Sequence, residues 1–410
     1  MTSRPQTSSA LIAGWTVFTL ANAQRIAIVP FFNDLRRVFH IDYTAVGGLL
    51  SAYLLGYVLA QIPAGLAADN LPTRRVTVAG LAALTVTSGL FALTGSYWVA
   101  MLLRGLMGMS AAALYSSTVK LTLGAAAHRG AAMGVLQSGA GTGMVVGLFA
   151  MPLLGETTSL RTAFLAMAAF SCVALIVAGL FLPGDGGRQP SAEPLLAQVG
   201  WIVGRRHFAY LSSCVFLGLF SAYGITAWLP TYLRNDFGFT SAASGAVAAL
   251  INVALLVTAP FAGTLSDRFG TRAAVILIGF GVLVGSFSLL VMLHTAAWVA
   301  VSAALGGVGL ALTLPTITTL TTEVFGIRRA GLAVSLNLAW GQIASTISGV
   351  LFGYILDATG SFTRVWVVGL AVAVLGIVPA LALRRLEHTP GSGSARIGAG
   401  GSPADDPRAQ

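Results

Sequence analysis

Hydrophobic residues run along the chain in long stretches that short polar segments separate. A membrane-spanning helix needs about 20 mostly apolar residues. Twelve stretches meet this length, at residues 10–32, 44–66, 76–95, 98–122, 130–153, 162–183, 207–231, 242–264, 273–293, 297–322, 331–356 and 363–384. They lack the ten-residue alternation of apolar and polar positions that is typical of outer-membrane barrels. The pattern predicts an all-α membrane protein with twelve transmembrane helices, the first of which has no signal-peptide cleavage pattern and is retained.

The longest polar interval between spans divides the twelve into two sets of six. This interval, residues 184–206, contains Gly, Pro and charged residues, which are typical of a linker. We therefore expect an N-terminal six-helix bundle at residues 1–183, a cytoplasmic linker at 184–206 and a C-terminal six-helix bundle at 207–385. Residues 386–410 are rich in Gly, Ser and Pro, so we expect a disordered cytoplasmic tail.

The composition supports a membrane protein and excludes several other classes. Of 410 residues, 56% are hydrophobic and only 9% are charged, whereas a soluble domain carries about 25% charged residues. A soluble enzyme, a disordered scaffold and a disulfide-rich secreted domain are excluded. No metal-binding cluster or catalytic dyad occurs within the predicted spans, so neither an enzyme nor a bound metal or cofactor is expected.

The net charge of +10 reports the orientation in the membrane. Sixteen Lys and Arg residues lie on the side that holds both termini, five lie on the other side, and two lie within spans. Cytoplasmic loops carry the excess of Lys and Arg, so we expect both termini to be cytoplasmic. The partners we expect are the lipid bilayer of a bacterial inner membrane and a small solute, not nucleic acid, and we expect a monomer.

The two halves carry a repeated segment between the second and third span of each. The first copy includes Gly65, Asp69, Arg74 and Arg75, and the second includes Gly263, Asp267, Arg268, Gly270 and Arg272. Both copies resemble the loop motif G-x-x-x-D-R-x-G-R-R of the major facilitator superfamily. The second copy fits closely, while the first has Asn70 and Pro72 at two motif positions.

The resemblance to this superfamily implies a fold and a mechanism. It implies two pseudo-symmetric six-helix bundles, parallel repeats of one unit, that expose a central site to each side of the membrane in turn. It also implies that the motif residues lock the halves together on the cytoplasmic side while the protein is open outward. The alternative is that these charges only set the topology.

Two arginines within the predicted spans point to the substrate. Arg25 and Arg104 each lie about 9–12 Å below the outer boundary, at 1.5 Å per residue. Ionisable residues in spans are functional candidates by default. The spans contain no Asp or Glu except at their ends, and a guanidinium suits carboxylate or phosphate, so we expect an anion site that includes Asn22 on the face of Arg25. Alternatives are a structural or coupling role for Arg104 and snorkelling of Arg25 to the outer surface.

The segment from Arg25 to Gly65 is similar to organic-anion and organophosphate transporters of this superfamily. In those proteins an arginine in span one and a tyrosine in span two face the anion, and Tyr57 matches this tyrosine. The Gly-rich span five around Gln137 also resembles theirs. Organophosphate transporters add an arginine in span seven, which this chain lacks, so a small carboxylate is the expected substrate. Trp228 and Asn337 complete the predicted substrate-binding residues.

The sequence thus predicts a secondary transporter for a small organic anion, with proton-coupled symport as one mode of coupling. A facilitator or an exchanger is also compatible with these residues. The alternative function is a proton-driven drug or metabolite efflux antiporter. Such antiporters usually need an acidic residue within a span and a Gly-Pro signature in span five, and this chain has neither.

Overall fold

The computed structural model describes residues 4–125, 129–182, 195–269 and 271–387. The first half consists of α1 (Arg4–Ile26), α2 (Phe32–Phe39), α3 (Tyr43–Asn70), α4 (Thr73–Leu93), α5 (Tyr97–Ala125), α6 (Arg129–Val145), α7 (Met151–Thr157) and α8 (Leu160–Phe181). The second half consists of α9 (Leu195–Val203), α10 (Arg206–Phe237), α11 (Ser241–Phe269), α12 (Arg272–Met292), α13 (Ala296–Phe325), α14 (Ile327–Thr359) and α15 (Phe362–Glu387).

Each of the twelve predicted spans forms a helix. The fifth is composite, because a π-helical segment, Val146–Ala150, joins α6 to α7. Eleven helices in the described part are long and apolar enough to cross a membrane. The first helix, α1, is not among them, because it carries polar residues such as Asn22, Gln24 and Arg25 that face the protein interior.

The two halves repeat the same packing. In the first bundle α3 and α4 pack on α5, and α1 packs on α6 and α8. In the second bundle α11 and α12 pack on α13, and α10 packs on α14 and α15. Two six-helix bundles of the same design therefore form the molecule, as the repeated sequence segments predict.

The bundles meet along two seams. In one, α3 packs on α14, and in the other α11 packs on α6, α7 and the π-helical segment. Each seam pairs a second span of one bundle with the fifth span of the other. We call the end of the seams that holds Tyr43, Asp357 and Glu156 the closed end, and the opposite end, near residues 4 and 387, the open end.

Parts of two predicted segments lie outside the described residues. Of the predicted linker 184–206, residues 184–194 are outside, and residues 195–203 form α9, which packs on α14 and α10. Of the predicted tail 386–410, residues 388–410 are outside.

Candidate functional site

A central cavity of about 300 Å³ lies between the bundles and opens toward the open end. The first bundle contributes most of its walls through α1, α3, α5 and α6, and the second contributes α14. The polar and aromatic side chains that line it are Phe18, Asn22, Arg25, Tyr53, Tyr57, Gln61, Tyr115, Gln137, Ser335 and Gln342. No carboxylate is among the described lining residues.

Arg25 lies in this cavity with its guanidinium between two tyrosine rings. Its Cζ is 5.6 Å from the ring centre of Tyr57 in the first bundle and 5.2 Å from that of Tyr223 in the second. Its Nε and Nη2 are buried and have no hydrogen-bond partner. The electron-rich ring faces stabilise a cation, but they leave these donors without an acceptor. The arrangement therefore presents a positive charge with free hydrogen-bonding capacity at the boundary between the bundles.

The second bundle places Gln342 in the same cavity as Arg25, at a depth within about 3 Å of Tyr57. Ser51 Oγ of α3 donates to the Thr346 carbonyl of α14 at 2.6 Å, which fixes the antiparallel register of these helices. Toward the open end, Tyr57 lies about 9 Å beyond Ser51 and Gln342 about 6 Å beyond Thr346, at 1.5 Å per residue. Gln342 Oε1 is buried without a partner, as is Gln61 Oε1 on α3. Amide groups from both bundles thus lie near the guanidinium.

Four predicted substrate residues line the cavity together: Asn22, Arg25, Tyr57 and Gln137. Tyr115 lines it without having been predicted, and its ring packs against Phe18 at 5.3 Å. Tyr115 carries no charge and belongs to no motif that would single it out. Its position on α5, three helical turns beyond Arg104 toward the open end, is the one sequence feature that could have placed it in the cavity.

Arg104, predicted to contact substrate, is not among the described residues that line the cavity. Arg104 is fully buried, and its guanidinium donates to three main-chain carbonyls, those of Leu49 at 3.2 Å, Gln24 at 2.9 Å and Arg25 at 3.0 Å. Two of these carbonyls belong to the last turn of α1, where carbonyls lack helical partners. Arg104 therefore anchors the end of α1 to α3 and α5 and does not line the cavity.

Trp228 and Asn337 also lie away from the cavity, contrary to prediction. Trp228 is buried near the closed end, where its Nε1 donates to the Gly349 carbonyl at 3.2 Å. Asn337 is buried inside the second bundle, where it bonds Ser212 at 2.6 Å and Thr321 at 3.0 Å. Both polar groups have hydrogen-bond partners within the fold, so neither needs a solute as a partner.

The repeated motif lies at the open end. Arg74 donates to the Gly179 carbonyl of α8, and Arg272 pairs with Glu323 of α13 at 2.9 Å, so each contacts its own bundle. Arg75 and Arg268 are exposed. A Cβ added to Gly65 would meet no described residue within 4 Å. The side chains of Asp69 and Asp267, the surroundings of Gly263 and the whole of Gly270 lie outside what the structure describes.

Carboxylates join the bundles at the closed end. Asp357 of α14 accepts from the main-chain N–H groups of Tyr43 and Thr44, and Glu156 of α7 accepts from that of Ala242. Asp34 pairs with Arg234 at 2.7 Å, also across the bundles. These contacts close this end of the cavity.

Comparison with known proteins identifies a family. A family model described as Major Facilitator Superfamily matches residues 14–253 and 211–406. The uncharacterized transporter YybO of Bacillus subtilis is 25% identical over 90% of this chain and 92% of that protein. Multidrug resistance protein 1 of the same species is 24% identical over 86% and 92%. The probable sulfoacetate transporter SauU of Cupriavidus necator is 23% identical over 90% and 92%.

The same architecture occurs among solved structures. A bacterial homologue of the human lysosomal transporter Spinster, in an inward-facing and unoccupied conformation, superposes with a TM-score of 0.78. The match covers 93% of this chain and 98% of that one at 15% identity. At 15% identity this structural similarity establishes the fold alone. The solute is inferred from the residues of the cavity.

Proposed function

Since the chain belongs to the Major Facilitator Superfamily and is an integral membrane transporter rather than an enzyme, we propose that it moves a small organic anion by alternating access. The anion we propose is a carboxylate. Proton-coupled symport is the coupling we favour, and a dependence of uptake on an imposed pH gradient is its test. We place the protein in a bacterial inner membrane with both termini in the cytoplasm, as a monomer.

The observation that carries the proposal is the state of Arg25. Its guanidinium stays charged at any accessible pH, and two of its nitrogens are buried without a partner. A buried charge that lacks a counter-ion is costly, so a bound anion would stabilise this site. No carboxylate among the described lining residues competes with the anion for Arg25.

The cavity size also favours a small solute. Ligand pockets generally range over about 300–1,000 Å³, and this cavity, at about 300 Å³, lies at the lower limit. Asn22, Gln61, Gln137 and Gln342 offer neutral hydrogen-bonding groups around the charge. Such a site suits a compact monoanion with one strong ionic contact and several weaker polar ones.

In the mechanism that we propose, the solute joins the two bundles. It enters from the open end, its carboxylate binds Arg25 of α1, and its remaining polar groups reach Gln342 of α14. Contacts to both bundles favour closure around the solute, because a ligand shifts a conformational equilibrium by its differential affinity for the two states. Asp69, Asp267 and the other motif residues then hold the open end shut in the opposite conformation.

The second candidate function is drug or metabolite efflux, which the similarity to multidrug resistance protein 1 favours. A cationic drug would meet Arg25 without a neighbouring carboxylate among the described lining residues. This electrostatic conflict is the reason that we prefer the anion.

Arg25→Gln tests the proposed function. We expect it to abolish binding of small carboxylates to the purified protein, because the neutral amide cannot replace the ionic contact. Thermal stability is measured across a panel of carboxylates and cationic drugs, since a ligand that binds the folded state raises the melting temperature with the logarithm of its concentration relative to Kd. Gln137→Glu is a useful companion, because a new carboxylate in the cavity would neutralise Arg25 and weaken anion binding.

Stabilisation of wild type by carboxylates, lost in Arg25→Gln, supports the proposal. Stabilisation by cationic drugs alone, or carboxylate binding that is unchanged in Arg25→Gln, contradicts it. Uptake of the same carboxylates into proteoliposomes then separates transport from binding.

A further inference from the structure

The two seams between the bundles are related by the internal repeat, and each ends in the same kind of contact. In the first seam, α14 of the second bundle lies against α3 of the first. In the second seam, α6 and α7 of the first bundle lie against α11 of the second. At the closed end of each seam, a carboxylate near the end of the fifth-span helix meets the beginning of the second-span helix of the other bundle.

Asp357 makes this contact in the first seam. Its Oδ1 accepts from the Tyr43 N–H at 2.9 Å, and its Oδ2 accepts from the Thr44 N–H at 2.7 Å and the Thr44 hydroxyl at 2.6 Å. Tyr43 and Thr44 are the first two residues of α3, whose N–H groups have no partner within their own helix. One carboxylate of the second bundle therefore satisfies three donors of the first.

Glu156 makes the equivalent contact in the second seam, with the bundles exchanged. Its Oε1 accepts from the Ala242 N–H at 2.7 Å. Ala242 is the second residue of α11, and Glu156 is the penultimate residue of α7. The charged groups that line the same recess are Asp34, Arg37 and Arg234.

We propose that Asp357 and Glu156 form a symmetric pair of latches that hold the closed end shut, and that their release accompanies opening to the opposite side of the membrane. The proposal rests on alternating access and does not depend on which solute is carried. The ion pair between Asp34 and Arg234 reinforces the same closure, but its partners lie on α2 and α10, outside the two seams.

Both latches act in one conformation only. The partial positive charge of a helix N-terminus stabilises a nearby carboxylate, and loss of a carboxylate cap shifts an equilibrium by about threefold to thirtyfold. Because the donor and the acceptor belong to different bundles, this stabilisation disappears when the bundles separate at the closed end. Removing the carboxylate therefore lowers the population of the present conformation and raises that of the opposite one.

The chain contains a matched control for Asp357. Asp42 precedes α3 and accepts from the Ala45 N–H at 2.7 Å, so it caps the same helix from within its own bundle. Its contact does not depend on how the bundles are placed. Asp42→Ala should weaken the helix start in both conformations and leave their ratio unchanged.

The experiment measures cysteine accessibility without any solute. In protein carrying Cys172→Ala and Cys214→Ala, Ser51→Cys reports the closed end and, in a separate variant, Ser335→Cys reports the open cavity. Each is labelled with a maleimide in the wild-type latch background and with Asp357→Ala, Glu156→Ala or Asp42→Ala. Because Ser51→Cys itself removes the hydrogen bond to Thr346 across the seam, its labelling rate in each latch variant is compared with that of the same cysteine in the wild-type latch background. Ala242→Pro removes the main-chain donor within the first turn of the helix, where proline is best tolerated, and also adds ring atoms at a buried position.

We expect Asp357→Ala, Glu156→Ala and Ala242→Pro each to speed labelling at Ser51→Cys about threefold to thirtyfold and to slow labelling at Ser335→Cys. Asp42→Ala should change neither. Unchanged rates in the latch variants would overturn the proposal. Faster labelling at both cysteines would overturn it as well, since that result reports loosening of the whole fold instead of an exchange of access.

These outcomes are independent of the proposed function. If no carboxylate binds but the reciprocal labelling change occurs, the latches stand and the anion assignment fails. If carboxylates bind through Arg25 and labelling does not change, the latches fail and the anion assignment stands.

Discussion

Arg25 and Arg104 show how much the partners of a residue decide its role. Both are arginines within spans and at similar depth, and the predicted spans contain no Asp or Glu except at their ends. In the fold Arg104 has three carbonyl acceptors, whereas Arg25 has two buried donors without any. The same residue type therefore stabilises the fold at one position and favours a ligand at the other.

This contrast leads to a stability prediction. Arg104→Gln should lower the free energy of unfolding by about 3 kcal/mol, because hydrogen bonds to a charged group contribute substantially and buried carbonyls are left without donors. Arg25→Gln should leave stability without ligand unchanged or raised, because it removes an unpaired buried charge. Thermal unfolding of both purified variants measures the difference. Equal destabilisation by the two substitutions would contradict the assigned roles.

Charge and helical spacing, which are visible in the sequence, predicted four residues that line the cavity together: Arg25, Tyr57, Asn22 and Gln137. Trp228 and Asn337 lie elsewhere, with their polar groups bonded to Gly349, Ser212 and Thr321 on distant parts of the chain. The partners of a buried polar group depend on packing between helices. Hydrophobic periodicity does not encode that information.

At the scale of the helices, close backbone contact makes the closed end tight. A Cβ added to Gly47 of α3 would collide with the main-chain carbonyl of Gly349 on α14, across the bundles. The neighbouring Gly48 faces its own bundle, and its added Cβ would meet the Tyr97 hydroxyl at 3.3 Å. Two adjacent glycines thus occupy different environments with respect to the seam.

Gly47→Ala should therefore favour the conformation that is open at the present closed end. Overpacking costs about 1–3 kcal/mol, and here the cost falls on one conformation only, so we expect a shift of about tenfold. Maleimide labelling of Ser51→Cys measures the shift, and Gly48→Ala serves as the control. A Gly47→Ala protein that labels like wild type would show that the seam accommodates the methyl group.

The number and boundaries of the helices follow from the sequence more directly than their partners do. The predicted span at 44–66 extends to Tyr43–Asn70 in the structure, and the span at 207–231 extends to Arg206–Phe237. α10 ends at Gly238, whose left-handed φ of 69° terminates the helix. The π-helical segment Val146–Ala150 precedes Pro152 and packs against α11 and α1.

At the scale of the whole molecule, the charge distribution predicts the orientation. Sixteen cations lie on the side of the termini and five on the other, so both termini should face the cytoplasm. In a bacterial host, a green fluorescent protein fused after Gln410 should fluoresce, because it would fold in the cytoplasm. Alkaline phosphatase fused at the same position should be inactive there. An active phosphatase fusion would reverse the assigned orientation and with it the side to which the present cavity opens.

The latches at the closed end also have a consequence for sequence variation. The donors to Glu156, and two of the three donors to Asp357, are main-chain N–H groups, which nearly every amino acid supplies. Small replacements such as glycine or serine at Ala242, which is buried, should therefore keep the latch, whereas proline there should not. Few replacements should succeed at Asp357 or Glu156. An inventory of side chains alone would miss much of each latch, because most partners of the two acids are main-chain groups.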